Sequence, residues 1–403
     1  MESVALVLAG GGARGAYEVG ALSVLFPALE EAGMRPRIVV GTSVGAINGA
    51  FLASRAHEPV GQVTAEGEQT WRQLRWEQVV RPLASPGVLE RLALYLGEIV
   101  GVPGAEIPAL LDSAPLAETL PARVSFDQLH RNVADGLLDS AAVVGTSALT
   151  SRSVVFHDGG APEAHDPIRG IDYVATTLDP SHARASAAIP GLFPAVYVER
   201  PAAASGWYFD GGTRLNTPVK PAIALSADRV VIVALNSIAE PPPQLAGADR
   251  PDALEGAAQL VQAVLVDPLV HDVRTLAMVN ELVEAGAGPD GELAGKRKVP
   301  YIVVAPRDRD AIGEVALRVF RERFSSPRAA LRSPNVALLG RFLAGGRDAA
   351  HGELLSYLFF DGEFADALIE LGRLDARRWL DETHDDGIWQ LGQPSVNAGG
   401  TGA

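Results

Sequence analysis

The chain contains no cysteine, which excludes disulfides, thiolate metal sites and a cysteine nucleophile. It also lacks a long apolar run. Its most hydrophobic central stretch, Pro221 to Leu235, is broken by Asp228 and Arg229, far short of the roughly 20 uncharged residues that a membrane span needs. Positive charge is in deficit: 34 Lys and Arg stand against 49 Asp and Glu, for a net charge of -15. This argues against a sequence-independent grip on nucleic acid, which depends on clustered cations neutralising phosphates, and against long-range attraction to an anionic membrane. Met1 to Leu8 carries no basic region followed by an apolar core and a small-residue cleavage site. No cleavable export signal is therefore expected; the expected location is cytoplasmic, with any membrane contact peripheral.

What is present is a globular composition, 47% hydrophobic and 21% charged over 403 residues. That length exceeds what one core usually organises, so a main domain with a C-terminal addition is expected. Val4 to Leu8 reads as a strand ending in Gly10, Gly11 and Gly12, with a helical pattern following as far as Gly33. A second β-branched run, Ile38 to Val40, leads through Gly41-Thr42-Ser43-Val44-Gly45 into a small-residue helix up to Arg55. Further strands are expected at Ala142 to Gly145, Ser153 to Phe156, Trp207 to Phe209, Val230 to Leu235 and Tyr301 to Val304. Strands alternating with helices predict a three-layer α/β/α fold with a mostly parallel central sheet. The expected units are a catalytic domain over 4–235 with a helical insertion or cap at 57–139, a linker at 236–251, a mainly helical region at 252–392 with one strand near 301–304, and a flexible tail at 393–403. Val88, Leu92, Tyr95, Leu96 and Ile99 share one helical face within the insertion, as either a core-facing helix or a cap over an acyl pocket.

Two glycine motifs compete for meaning. Gly10-x-Gly12-x-x-Gly15 between a strand and a helix fits a dinucleotide fingerprint, which makes a nucleotide-binding oxidoreductase one reading. That reading requires an acid at the end of the second strand, and the sequence has Gly41-Thr42-Ser43 there instead. Gly41-x-Ser43-x-Gly45 suits a nucleophile elbow, in which a strained strand-to-helix turn presents the serine. Gly145-Thr146-Ser147 begins the same way but lacks the closing glycine. With Ser43 as nucleophile the first loop acquires a different role, since backbone N–H groups near Gly11, Gly12 and Ala13 can bind a tetrahedral oxyanion. Arg14 reads equally as a surface cation or as an anion-steering group beside that hole.

A serine hydroxyl needs a base. The eight histidines lie in ordinary polar surroundings with no glycine turn to present them. Asp210, after Trp207-Tyr208-Phe209 and before Gly211 and Gly212, sits where a tight turn can expose a carboxylate at a strand end. Asp158, before Gly159 and Gly160, is a rival of the same form that also reads as a hairpin tip.

Gly10 to Gly15, Gly41 to Gly45 and Asp210 to Gly212, in this order, resemble the patatin-like phospholipase family, as do Ala185 to Val196 and Asn216-Thr217-Pro218. The resemblance covers about residues 4 to 235. It implies a Ser43–Asp210 dyad without catalytic histidine, an oxyanion hole formed by the loop of Gly10, Gly11, Gly12, Ala13, Arg14 and Gly15, and hydrolysis of lipid carboxylic esters without metal or organic cofactor. A catalytically silent lipid-binding protein would keep the fold without the intact motifs.

Overall fold

The computed structural model describes residues 2–81, 109–239, 256, 267–286, 292–293, 295–323 and 349–393. The helical face at Val88 to Ile99, most of the linker, residues 257–266 and nearly all of the tail lie outside them.

The first strand, β1 (Val4–Leu8), is buried at every position. An unbroken apolar run of this kind suits a central parallel strand covered on both faces. It lies between β2 (Pro36–Thr42) and β9 (Arg229–Val233), parallel to both. On the far side of β2, β3 (Ser140–Ser147) continues the parallel block. The remaining strands are β4 (Ser153–Gly159), β5 (His165–Asp166), β6 (Ile171–Ala175), β7 (Val196–Val198), β8 (Gly206–Asp210) and β10 (Tyr301–Val304). The sheet order is β10-β9-β1-β2-β3-β4-β6-β5, with β8 pairing with both β3 and β7.

The sheet is mixed beyond β3. β4 runs antiparallel to β3, because the few residues between them allow only a hairpin and not the long crossover that a parallel neighbour needs. β8 is also antiparallel to β3, while β5, β6 and β7 are short strands that the sequence pattern does not mark.

The helices are α1 (Gly15–Glu31), α2 (Val44–Ser54), α3 (Val60–Gln73), α4 (Ala114–Arg123), α5 (Phe126–Ala134), α6 (Pro180–Ser186), α7 (Val219–Ala224), α8 (Asp267–Gly286), α9 (Ala311–Arg323), α10 (Ala349–Leu358) and α11 (Gly362–Asp381). α11 lies tightly against α1, where a side chain at Gly20 or Gly372 would meet a backbone oxygen of the other helix at 2.2 Å. Tyr17 donates to Asp375 Oδ2 across the same contact at 2.8 Å. The boundary expected near residue 235 falls within the sheet, since β10 pairs with β9 in parallel register. The C-terminal helices thus share the core of the N-terminal strands.

Candidate active site

The register of β3 determines which side chains meet. Along one edge of β3, β2 pairs up to Thr42 opposite Val144, and β8 takes over the same edge from Asp210 opposite Gly145 to Tyr208 opposite Ser147. The two strands point at each other, so their C-terminal ends converge at Val144 and Gly145. Ser43 follows Thr42 directly. Its Oγ donates to Asp210 Oδ2 at 2.6 Å across a sequence separation of 167 residues. Gly145, the start of the incomplete second serine motif, is thus the strand position that Asp210 pairs with.

Ser43 adopts φ 55° and ψ -123° at the start of α2. A positive φ in a residue with a Cβ is unfavourable by about 1–3 kcal/mol and persists only where its surroundings enforce it. The enforcement comes from close packing at Gly41 and Gly45. A Cβ at Gly41 would lie 2.1 Å from Gly45 O, and one at Gly45 would lie 2.4 Å from Leu8 O. Only this composition lets the helix start so close to the end of β1. The Ser43 N–H donates to Ser186 Oγ at 2.8 Å, and Ser186 in turn donates to Val144 O at 2.5 Å. Sequence reasoning did not single out Ser186, although it lies in the Ala185 to Val196 stretch. Ser186→Ala should leave the buried Ser43 N–H unpaired and cost about 1–3 kcal/mol, checked as a lowered urea midpoint.

Asp210 is held from all sides. Its N–H donates to Ala188 O at 2.9 Å, and its carbonyl accepts from Thr146 at 3.1 Å and Thr213 at 2.9 Å. Oδ1 accepts from the Gly212 N–H at 2.7 Å, while Gly211 passes so close to Val144 O that a Cβ would stand 2.3 Å from it. Burial pushes the carboxyl up to about 7, against the opposing pull of the hydrogen bonds from Ser43 and Gly212. Asp158 lies elsewhere: it pairs opposite Ala141, four residues along β3 from Gly145, or about 13 Å at strand rise. Its carboxylate accepts from or pairs with His130 at 2.9 Å.

The glycine loop lies beside Ser43; a Cβ at Gly10 would be 3.0 Å from Ser43 Cβ. The Gly10 N–H donates to Asn216 O, the Arg14 N–H to Gly11 O and the Gly15 N–H to Gly12 O. Among the described residues the N–H groups of Gly11, Gly12 and Ala13 are engaged by no backbone acceptor, and they stand at the positive end of α1. Asn48 fastens the loop from one side, donating to Gly15 O at 3.0 Å while accepting from Trp71 Nε1 at 3.1 Å.

Arg14 follows neither expectation. Its side chain is wholly buried, turned away from the loop's open side and ion-paired with Glu353. It also donates to Ser356 Oγ at 2.8 Å, Asn236 Oδ1 at 2.9 Å and Glu353 O at 2.9 Å, and its guanidinium lies 3.8 Å from the Tyr357 ring centre. The reason is α10, which covers the loop: Gly12 has φ +60°, and a Cβ there would stand 2.2 Å from Tyr357 O. A pyrophosphate above Gly12 would have to displace this helix, which removes the structural basis for the dinucleotide reading. Among the described residues no group of three or more His, Asp or Glu converges as metal ligands would.

The family model described as Patatin-like phospholipase matches residues 6–223, more than half of the chain. The chain belongs to the patatin-like phospholipase family. A 55-residue segment is 56% identical to a lysophospholipase nte1 of Aspergillus terreus, and this covers 14% of the chain and 3% of that relative. Among solved structures, VipD of Legionella pneumophila aligns over 75% of this chain and 61% of its own, with TM-score 0.30 and 15% identity. ExoU of Pseudomonas aeruginosa, solved as a complex with SpcU, aligns over 96% of this chain and 74% of its own, with TM-score 0.26 and 19% identity.

Two cavities open at Ser43 in this patatin-like chain. One, of about 110 Å³, runs from Gly12 and Ser43 between α2, α3 and α4, walled by Val19, Phe51, Trp71, Leu116, Leu120 and Phe193 among others. The second, of about 260 Å³, is lined by Ser43, Asp210 and the glycine loop on one side and by Leu354, Tyr357 and Leu358 of α10 on the other.

Proposed function

We propose that the protein is a serine acyl-hydrolase of lipid carboxylic esters, of the phospholipase A, lysophospholipase or less selective esterase type, acting through Ser43 and Asp210. The 2.6 Å contact between Ser43 Oγ and Asp210 Oδ2 carries this reading. Family membership and the apolar cavity at Ser43 support it.

In the first half-reaction Asp210 takes the hydroxyl proton as Ser43 Oγ bonds to the acyl carbon. The developing oxyanion lies against the N–H groups of Gly11, Gly12 and Ala13. The ester C–O bond breaks, the leaving alcohol takes the proton from Asp210, and the acyl chain stays on Ser43. Asp210 then takes a proton from water as the water oxygen bonds to the acyl carbon, the acyl–Ser43 Oγ bond breaks, and Asp210 returns the proton to Ser43 Oγ as the fatty acid leaves. An ordinary aspartate is a poor base; burial brings Asp210 near neutrality and so raises its proton affinity. No helix among the described residues is long and apolar enough to cross a membrane, so contact with lipid is proposed as peripheral.

A fluorophosphonate should label wild type at Ser43 and fail to label Ser43→Ala, with p-nitrophenyl esters hydrolysed in parallel. An unlabelled, inactive wild type would sink the proposal. Because the working form of Asp210 is the carboxylate, kcat/KM should rise with pH through an acid limb centred near 7 and then level off. A limb centred near 4 would show a carboxylate unaffected by burial.

A further inference from the structure

Resting on the acyl-hydrolase reading, we infer that α10 makes the enzyme selective for esters whose alcohol is uncharged and apolar. The assignment of the two cavities follows from proton flow. The leaving oxygen must collect its proton from Asp210, so the alcohol lies on the Asp210 side of Ser43. The larger cavity is lined by Asp210, Gly212 and Thr213. The smaller touches Ser43 without touching Asp210 and receives the acyl chain.

The alcohol-side cavity is walled by Ile189, Leu192, Leu354, Tyr357 and Leu358. Among the described residues that line it no Lys or Arg occurs, and its one charged group, Asp210, is an acid. The buried Arg14 does not line this cavity and is paired with Glu353 and bonded to Ser356 of α10. A phosphate close to the ester would thus enter an apolar space beside a carboxylate, with no cation among the described lining residues to neutralise it, which is strongly unfavourable. A hydrocarbon alcohol gains instead from each methylene it buries. The residues that create this preference, 354, 357 and 358, lie well past residue 223, where the family match ends.

The test uses monomeric substrates with one acyl chain. Hexyl octanoate should exceed methyl octanoate in kcat/KM by at least about tenfold, and 1-octanoylglycerol should exceed its 3-phosphate by at least about tenfold, each equal to about 1.4 kcal/mol. A difference below about threefold in either pair overturns the inference. Leu354→Arg, at a half-buried position, should cut the neutral-over-phosphate ratio about tenfold or more, and an unchanged ratio in a variant that still labels with fluorophosphonate also overturns it. If Leu354→Arg does not label, the wild-type pairs decide alone. Loss of this inference leaves ester turnover and Ser43 labelling intact, whereas failure of the parent reading removes both.

Discussion

Asp210→Asn is expected to lower kcat by about 10⁴-fold while the protein stays folded, because it removes the carboxylate proposed to take the Ser43 proton. The amide can still occupy the space, its oxygen accepting from the Gly212 N–H and its NH2 donating to Ser43 Oγ in place of the carboxylate oxygen that accepted from it, so the packing survives and basicity does not. The same burial also acts on stability. The native carboxyl holds its proton to about pH 7, whereas the unfolded one loses it near the ordinary value of about 4. Between those values the native state binds more protons than the unfolded state, so the Asp210 contribution to stability is full below about pH 4 and is lost as pH rises towards 7. Asparagine does not titrate. Asp210→Asn should therefore gain stability relative to wild type as pH rises from 4 to 7, and be inactive throughout. Turnover with p-nitrophenyl butyrate and urea midpoints at pH 4.5 and 7.5 check both halves. A variant retaining more than about a tenth of wild-type kcat would remove Asp210 as the base.

Glu353→Ala should cost about 3–5 kcal/mol, since it leaves the wholly buried Arg14 guanidinium without its counter-ion. Arg14→Met combined with Glu353→Met should recover a large part of that loss, because apolar side chains of similar volume avoid stranding a charge. The urea midpoints of the single and double variants distinguish this from simple loss of packing, in which the double variant would be the worse. The clamp also ties α10 to the loop that carries the Gly11, Gly12 and Ala13 N–H groups. The single variant should accordingly lose kcat more than it raises KM.

The strand–glycine–helix units at β1 and β2, the elbow around Ser43 and the turn after Asp210 are legible in the sequence because each is written in a few consecutive residues. β-branched runs, small residues in close-packed turns and glycines where a Cβ has no room are local signals. The family resemblance rests on those same motifs, and the family match at 6–223 covers them. β5, β6 and β7 escape notice because strands of two to five residues, several of them partly exposed, carry too little periodicity to stand out. Arg14 misleads because its neighbours in a glycine loop suggest solvent or substrate, whereas its partners come from the far end of the chain.

Sequence alone determined that a serine on a strained turn would stand at the end of the second strand with a glycine loop nearby. It favoured Asp210 over Asp158 through its context and the family resemblance, although both are an aspartate before two glycines. Tertiary structure separated them through one strand: β3 receives the ends of β2 and β8 on the same edge, at Val144 and Gly145, and receives Asp158 opposite Ala141. Register is a long-range property fixed by the burial of whole strands, so no short motif encodes it. The same holds for α10, whose Glu353 lies 339 residues from Arg14. The physical link between them is desolvation: a cation placed in the core by local sequence needs an anion, and only the folded chain can bring one there.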